Sequence, residues 1–97
     1  MPAILKSPQY ERDIAGIWHH ITQDNPEAAD RTVIAIEEII ELVGSFPGIG
    51  TLCPHLAPGL RRTRWREYLI YYRHGNDSVE IVRALHGRRN ITPEQFR

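Results

Sequence analysis

Lysine is almost missing from this 97-residue sequence: Lys6 stands alone beside eleven arginines. Arginine forks onto carboxylates and phosphates through paired hydrogen bonds, where lysine offers only a point charge, so the cationic chemistry here is of the bidentate kind. Cysteine is equally scarce. The single thiol, Cys53, cannot close an internal disulfide, which excludes a disulfide scaffold and points to a reducing compartment. No apolar run approaches the ~18–20 residues that span a bilayer. The segment Met1–Lys6 lacks the basic start and long apolar stretch of a signal peptide. A soluble cytoplasmic domain with no membrane partner is therefore expected. At this length one domain over residues 1–97 is expected, burying roughly 60–65% of its unfolded surface.

Net charge is missing as well, but only in the sum. Twelve basic and twelve acidic side chains cancel, which excludes a uniformly basic nucleic-acid binder. Residues 1–58 hold three basic side chains against eight acidic ones, a balance of −5. Residues 59–97 hold nine arginines against four acids, a balance of +5. Such asymmetry signals contact with nucleic acid or with an acidic partner. The plainer reading is that acidic helices face a basic sheet within one small fold.

The hydrophobic pattern divides at the same place. Ser7-Pro8 is a helix start, with Ser7 free to cap and Pro8 placed where its missing N–H does no harm. Tyr10, Ile14, Ile17, Trp18 and Ile21 then recur at helical spacing, predicting a helix over 8–22. Asn25-Pro26-Glu27 repeats the signal, with an acid where the helix dipole favours it. Ala29, Val33, Ile36, Ile40 and Val43 form the second stripe, Ile34, Ile39 and Leu42 widen it, and Gly44 is the expected C-terminal cap. Glu37, Glu38 and Glu41 read as its solvated face. The short Thr22–Asn25 connection predicts an antiparallel hairpin.

Ser45–Gly59, rich in proline and glycine, reads as loop. Beyond it, Leu60–Trp65, Tyr68–His74 and Ser78–Leu85 carry the β-branched and aromatic residues of strands, with Gly75-Asn76-Asp77 as a hairpin turn. Ala3–Lys6 is a short strand before the helices. The predicted order is β-α-α-β-β-β, an α+β fold in which the helical hairpin packs on a mainly antiparallel sheet ending in a three-stranded meander. Ile91–Arg97 reads as one more helical turn or a loose tail.

Alternation along Leu60–Trp65 puts Arg62, Arg64 and Arg66 on one face and Arg61, Thr63 and Trp65 on the other. Arg88 and Arg89 follow His86-Gly87 at the end of the last strand, and Arg83 lies just inside it. If these strands are neighbours, the groups form one basic surface, with Tyr72 and Trp65 nearby, suited to phosphate or carboxylate. Competing sites are weak. His19 and His20 do not share a helix face, and Cys53-Pro54-His55 has no matching second ligand pair, so no metal or other cofactor is expected. No glycine-rich phosphate loop and no nucleophile–base arrangement is legible. His86 alone has the ordinary chemistry of a general base near neutral pH.

Three stretches in order, Leu56-Ala57-Pro58-Gly59-Leu60-Arg61, Tyr68-Leu69-Ile70-Tyr71-Tyr72-Arg73 and Val79–Arg89, resemble the ParE branch of the ParE/RelE toxin superfamily. The Ser7-Pro8 helix start, Asn25-Pro26-Glu27-Ala28-Ala29 and the Phe46-Pro47-Gly48-Ile49-Gly50 loop extend the resemblance to nearly the whole chain. It implies the toxin half of a bacterial type II toxin–antitoxin pair, with DNA gyrase as the target of ParE-like members. It implies a cognate antitoxin whose acidic tail folds onto the toxin, with Trp18 or Trp65 and the second helix as apolar anchors. RelE-like relatives instead cut messenger RNA in the ribosome; in that alternative His86, Arg64, Arg83 and Arg88 are the catalytic candidates. The tail Asn90–Arg97 has no tyrosine, and its one aromatic, Phe96, cannot exchange a proton. This departure favours the ParE reading, in which Arg61, Arg62, Arg64, Trp65, Arg83, His86, Arg88 and Arg89 bind target or antitoxin.

Overall fold

Two polar residues set where the helices begin. The Ser7 hydroxyl accepts from the Tyr10 amide at 2.9 Å, and the Asn25 side chain accepts from the Ala28 amide at 3.1 Å. Each is followed by proline, whose absent N–H is not needed in a first turn. Helix α1 spans Pro8–Thr22 and α2 spans Pro26–Ser45 in this structure, a computed structural model that describes residues 2–97. Gly44 is buried inside α2 rather than capping it. The helix stops one residue later because Pro47 excludes the α region for Phe46, which sits at φ −135°.

The sheet has five strands, one more than the pattern predicts: β1 (Ala3–Lys6), β2 (Thr51–Leu52), β3 (Leu60–Trp65), β4 (Tyr68–His74) and β5 (Ser78–His86), in the order β1-β5-β4-β3-β2. β1 lies parallel to β5 and every other pairing is antiparallel. The unforeseen β2 lies within the proline- and glycine-rich stretch, whose composition leaves only two residues free to pair. Gly50 admits it to the sheet, since a Cβ there would stand 2.5 Å from the Tyr72 hydroxyl oxygen. The Gly50 amide donates to that oxygen at 2.9 Å, and the hydroxyl donates to the Pro47 carbonyl at 2.7 Å. Tyr72 is therefore wholly buried and is not part of any basic surface.

Both sheet faces are covered. On the helix side Tyr10, Ile36, Ile40 and Val43 pack on Tyr68, Ile70, Tyr72 and Ile81. Buried Thr32, not Val33, continues the α2 stripe. On the other side Cys53, Leu56, Leu60, Tyr71, Val82, Leu85 and Phe96 form a second cluster. The C-terminal tail closes it. Thr92 and Gln95 cap a short 3₁₀ turn at Pro93–Phe96, and the Phe96 ring lies 4.7 Å from that of Tyr71. Glu37 is not simply solvated, because it accepts from Lys6 Nζ at 2.7 Å and from the Tyr10 hydroxyl at 3.1 Å. Burial, then the charge of Glu37, pushes the Tyr10 phenol far above its ordinary pKa.

A bulge between Tyr71 and Tyr72 gives β5 one extra residue, Val82, just where β1 stops covering its edge. α1 takes over that edge. The Ser7 hydroxyl donates to the Val82 carbonyl at 2.7 Å, and Asp13 Oδ2 accepts from the Ala84 amide at 3.0 Å. Asp13 also receives Arg83 Nε and Nη2, both at 2.8 Å, while Arg83 Nη1 donates to the Gln95 carbonyl of the tail at 3.1 Å. Both side chains are about nine-tenths covered, at 11% and 9% exposure. Hydrogen bonding to Asp13 holds the Arg83 pKa above its usual range. Asp13→Ala would leave an uncompensated guanidinium and is expected to lower unfolding stability by about 3 kcal/mol in urea titration. Glu41→Ala, on the exposed face of α2, should change it by less than about 0.5 kcal/mol.

Candidate functional site

The register of β3 against β4 sorts its side chains. Arg62 and Arg64 lie opposite Tyr71 and Leu69, on the face away from the helices. Arg61, Thr63 and Trp65 lie opposite Tyr72, Ile70 and Tyr68, on the helix face. On the outer face the second apolar cluster stops short of the β3–β4 turn and leaves a groove of about 700 Å³. Arg62, Arg64, Arg66 and Arg88 line it, with Leu69 in its wall and Ile49 and Thr51 toward β2. Glu67 is the only carboxylate there. Among the described residues none of these four arginines forms an ion pair; the pairs present are Lys6–Glu37, Arg73–Glu80 and Arg83–Asp13.

Backbone geometry brings the four together. The Gly87 amide donates to the Glu67 carbonyl at 2.7 Å, and a Cβ on Gly87 would stand 3.2 Å from that oxygen. The glycine thus permits close approach, which carries Arg88 to the β3–β4 turn. That turn is Arg66-Glu67, and Arg66 holds a left-handed φ of 53°, a conformation favouring glycine. Arg64 Nε donates to the Arg66 carbonyl at 2.8 Å, and the Arg66 guanidinium stands 4.9 Å from the centre of the Trp65 ring. Arg62 is half-buried beside Tyr71, whose phenol is pushed up by burial while the guanidinium works in the opposite direction. The arrangement is a cluster of bidentate donors on an apolar wall, suited to several carboxylates or phosphates in a row.

The single basic surface expected from the sequence is therefore divided. Arg62, Arg64 and Arg88 share the groove. Arg61 points to the opposite face, where Nη1 donates to the Gly50 carbonyl at 2.7 Å. Arg83 is held by Asp13 and the tail. Trp65 lies half-buried on the helix side, and the His86 ring packs there edge-on to Tyr68, with centroids 5.5 Å apart. Arg89 lies with His86 rather than with Arg88. The Arg88 amide donates to His86 Nδ1 at 3.1 Å, which leaves the proton of the neutral ring on Nε2. Arg66 lines the groove as well, on the side that alternation with Arg62 and Arg64 gives it, so the spacing by two was the available signal there. Asp13 carried none, because it lies off the apolar stripe of α1.

Comparison with known proteins agrees with the fold. The family described as "ParE toxin of type II toxin-antitoxin system, parDE" matches residues 4–91. Toxin ParE3 of Caulobacter vibrioides is 24% identical over 95 residues, covering 97% of this chain and 95% of the relative. Toxin ParE1 of Mycobacterium tuberculosis is 27% identical over 90 residues, covering 90% and 91%. Toxin ParE1 of Caulobacter vibrioides is 31% identical over 85 residues, covering 87% and 88%. A solved structure described as the chromosomal ParDE TA system from P. aeruginosa shares the fold, with a TM-score of 0.73 at 22% identity over 89% of this chain and 96% of that one.

The strained turn makes a separable prediction. Arg66→Gly should relieve the left-handed backbone and raise unfolding stability by about 1 kcal/mol. The same change should weaken binding of a polyglutamate probe severalfold at low salt. A loss of stability would contradict the strain assigned to Arg66.

Proposed function

The chain belongs to the ParE toxin family of type II toxin–antitoxin systems, and from that membership we propose that it acts in the cytoplasm as a gyrase-inhibiting toxin neutralised by a cognate antitoxin. The observation that carries the proposal is the outer-face groove, where four arginines lie without carboxylate partners beside exposed Ile49. An acidic antitoxin segment that orders on binding would neutralise these guanidiniums and cover the apolar rim at Ile49. Trp18 is a second apolar anchor: it is 41% exposed, with its indole N–H donating to Asp30 at 2.9 Å. Gyrase, alone or on DNA, would meet the same arginines, so antitoxin and target compete for one surface.

The ribonuclease alternative finds less support in the same geometry. RNA cleavage needs a base for the ribose 2′-hydroxyl close to groups that stabilise developing charge. His86 opens to the helix side, Arg64 and Arg88 line the opposite face, and Arg83 is engaged by Asp13. The His86 nitrogen that would accept a proton already accepts the Arg88 amide.

Purified protein is expected to inhibit gyrase supercoiling and to leave ribosome-bound messenger RNA intact. Cleavage at programmed ribosomes that His86→Ala abolishes, with supercoiling untouched, would overturn the proposal. The double charge reversal Arg62→Glu with Arg64→Glu should weaken antitoxin binding at least tenfold at low salt, with the difference shrinking as salt screens it. Unchanged affinity would place the antitoxin elsewhere.

A further inference from the structure

A second cleft, of about 460 Å³, lies on the opposite side of the sheet, between α1 and the end of β5. Its floor is apolar: Ile17, Tyr68 and Ala84, with Gly16 beside them. Its rim is cationic or titratable: Arg12 and His20 from α1, His86 and Arg89 from the end of β5. Asp13 is the one carboxylate lining it, and its oxygens are taken by Arg83 and the Ala84 amide. Arg12 and Arg89 form no ion pair among the described residues. With Nδ1 accepting from Arg88, His86 has its Nε2–H free to donate.

Gly16 is the second, independent observation. It stands in the middle of α1, where glycine is about 1 kcal/mol worse than alanine. Its φ is not left-handed, and a methyl group there would meet no atom within 4 Å, so neither backbone conformation nor packing calls for glycine. What the missing side chain provides is room in the cleft.

We infer that this cleft binds a small phosphate monoester carried on a flat apolar body, with the body over Gly16, Ile17 and Ala84 and the phosphate between Arg12 and Arg89. The volume holds one ring system with one anionic head, within the size range of small-molecule sites. Two guanidiniums and an imidazole donor, with no free carboxylate opposing them, suit a dianion with three acceptor oxygens better than a single carboxylate. The cleft is separate from the outer-face groove, so occupancy here does not depend on what binds Arg62 and Arg64.

The test is an amide-resolved NMR titration of the full chain with adenosine 5′-monophosphate, with phenyl phosphate and with inorganic phosphate. Saturable shifts are expected at Gly16, Ile17, Ala84 and Arg89, with at least one ester binding tenfold or more tighter than inorganic phosphate. A preference for the nucleotide identifies the source as nucleotides, and a preference for phenyl phosphate as simpler aryl phosphates. Gly16→Ala should raise the melting temperature yet weaken ester binding at least tenfold, and Arg12→Gln should weaken it without unfolding the protein. Shifts centred on Arg62, Arg64 and Arg88 instead, equal binding of inorganic phosphate, or an undiminished affinity in Gly16→Ala would each overturn the inference.

Discussion

The ion pair between Asp13 and Arg83 is the constraint on which the rest of the arrangement depends. Every other tie between α1 and the sheet is apolar or sits at the helix start; this one is directional, largely covered, and joins three parts of the chain. Through it α1 receives the β5 edge at Ala84, and Arg83 reaches on to the Gln95 carbonyl of the tail. The need for it arises from the strand lengths. β1 pairs with β5 only as far as Ile81, and an uncovered edge beyond that point would present unpaired amides and carbonyls. Ser7 and Asp13 satisfy that edge without another strand.

This arrangement decides which arginines belong to the fold and which to the surface. Arg83 and Arg61 are engaged with a carboxylate or with main-chain carbonyls, and Arg73 pairs with Glu80 at 3.7 Å. Arg62, Arg64, Arg66 and Arg88 have no such acidic partner and converge because Gly87 and the Arg66-Glu67 turn draw two chain segments together. Four like charges in one groove repel one another and, in the free protein, rely on water and counter-ions for compensation. The acidic antitoxin segment proposed above would supply what the fold withholds. The segregation of charge seen along the sequence thus resolves into a smaller and sharper feature, Arg62, Arg64 and Arg88 on the outer sheet face with Arg66 at the adjoining turn.

The sequence was most legible where local chemistry acts alone. Ser7-Pro8 and Asn25-Pro26 place both helix starts, and the β-branched and aromatic runs place β3, β4 and β5 with their boundaries nearly intact. It was least legible where distant segments meet. β2 has two residues and no pattern of its own, and it exists because Gly50 lets Tyr72 approach. Asp13 lies off the apolar stripe of α1, and nothing local reveals that a strand edge will end beside it. The candidate site shared this fate: alternation correctly put Arg62 and Arg64 together, but the assignment of Arg83 and His86 to the same surface required knowing the bulge at Val82 and the turn at Gly87. The tail beyond Asn90 packs because Phe96 finds Tyr71, a contact that no pattern within the tail foretells.

Paired measurements of stability and inhibition on single arginine-to-methionine variants separate the arginines that hold the fold from those that serve its surface. Methionine keeps most of the side-chain bulk while removing the charge. At positions 62, 64 and 88 unfolding stability should be unchanged while the proposed gyrase inhibition is lost; at position 83 a clear loss of stability is expected. An Arg83 variant that folds as well as the parent but no longer inhibits, beside Arg62, Arg64 and Arg88 variants that unfold, would contradict this division.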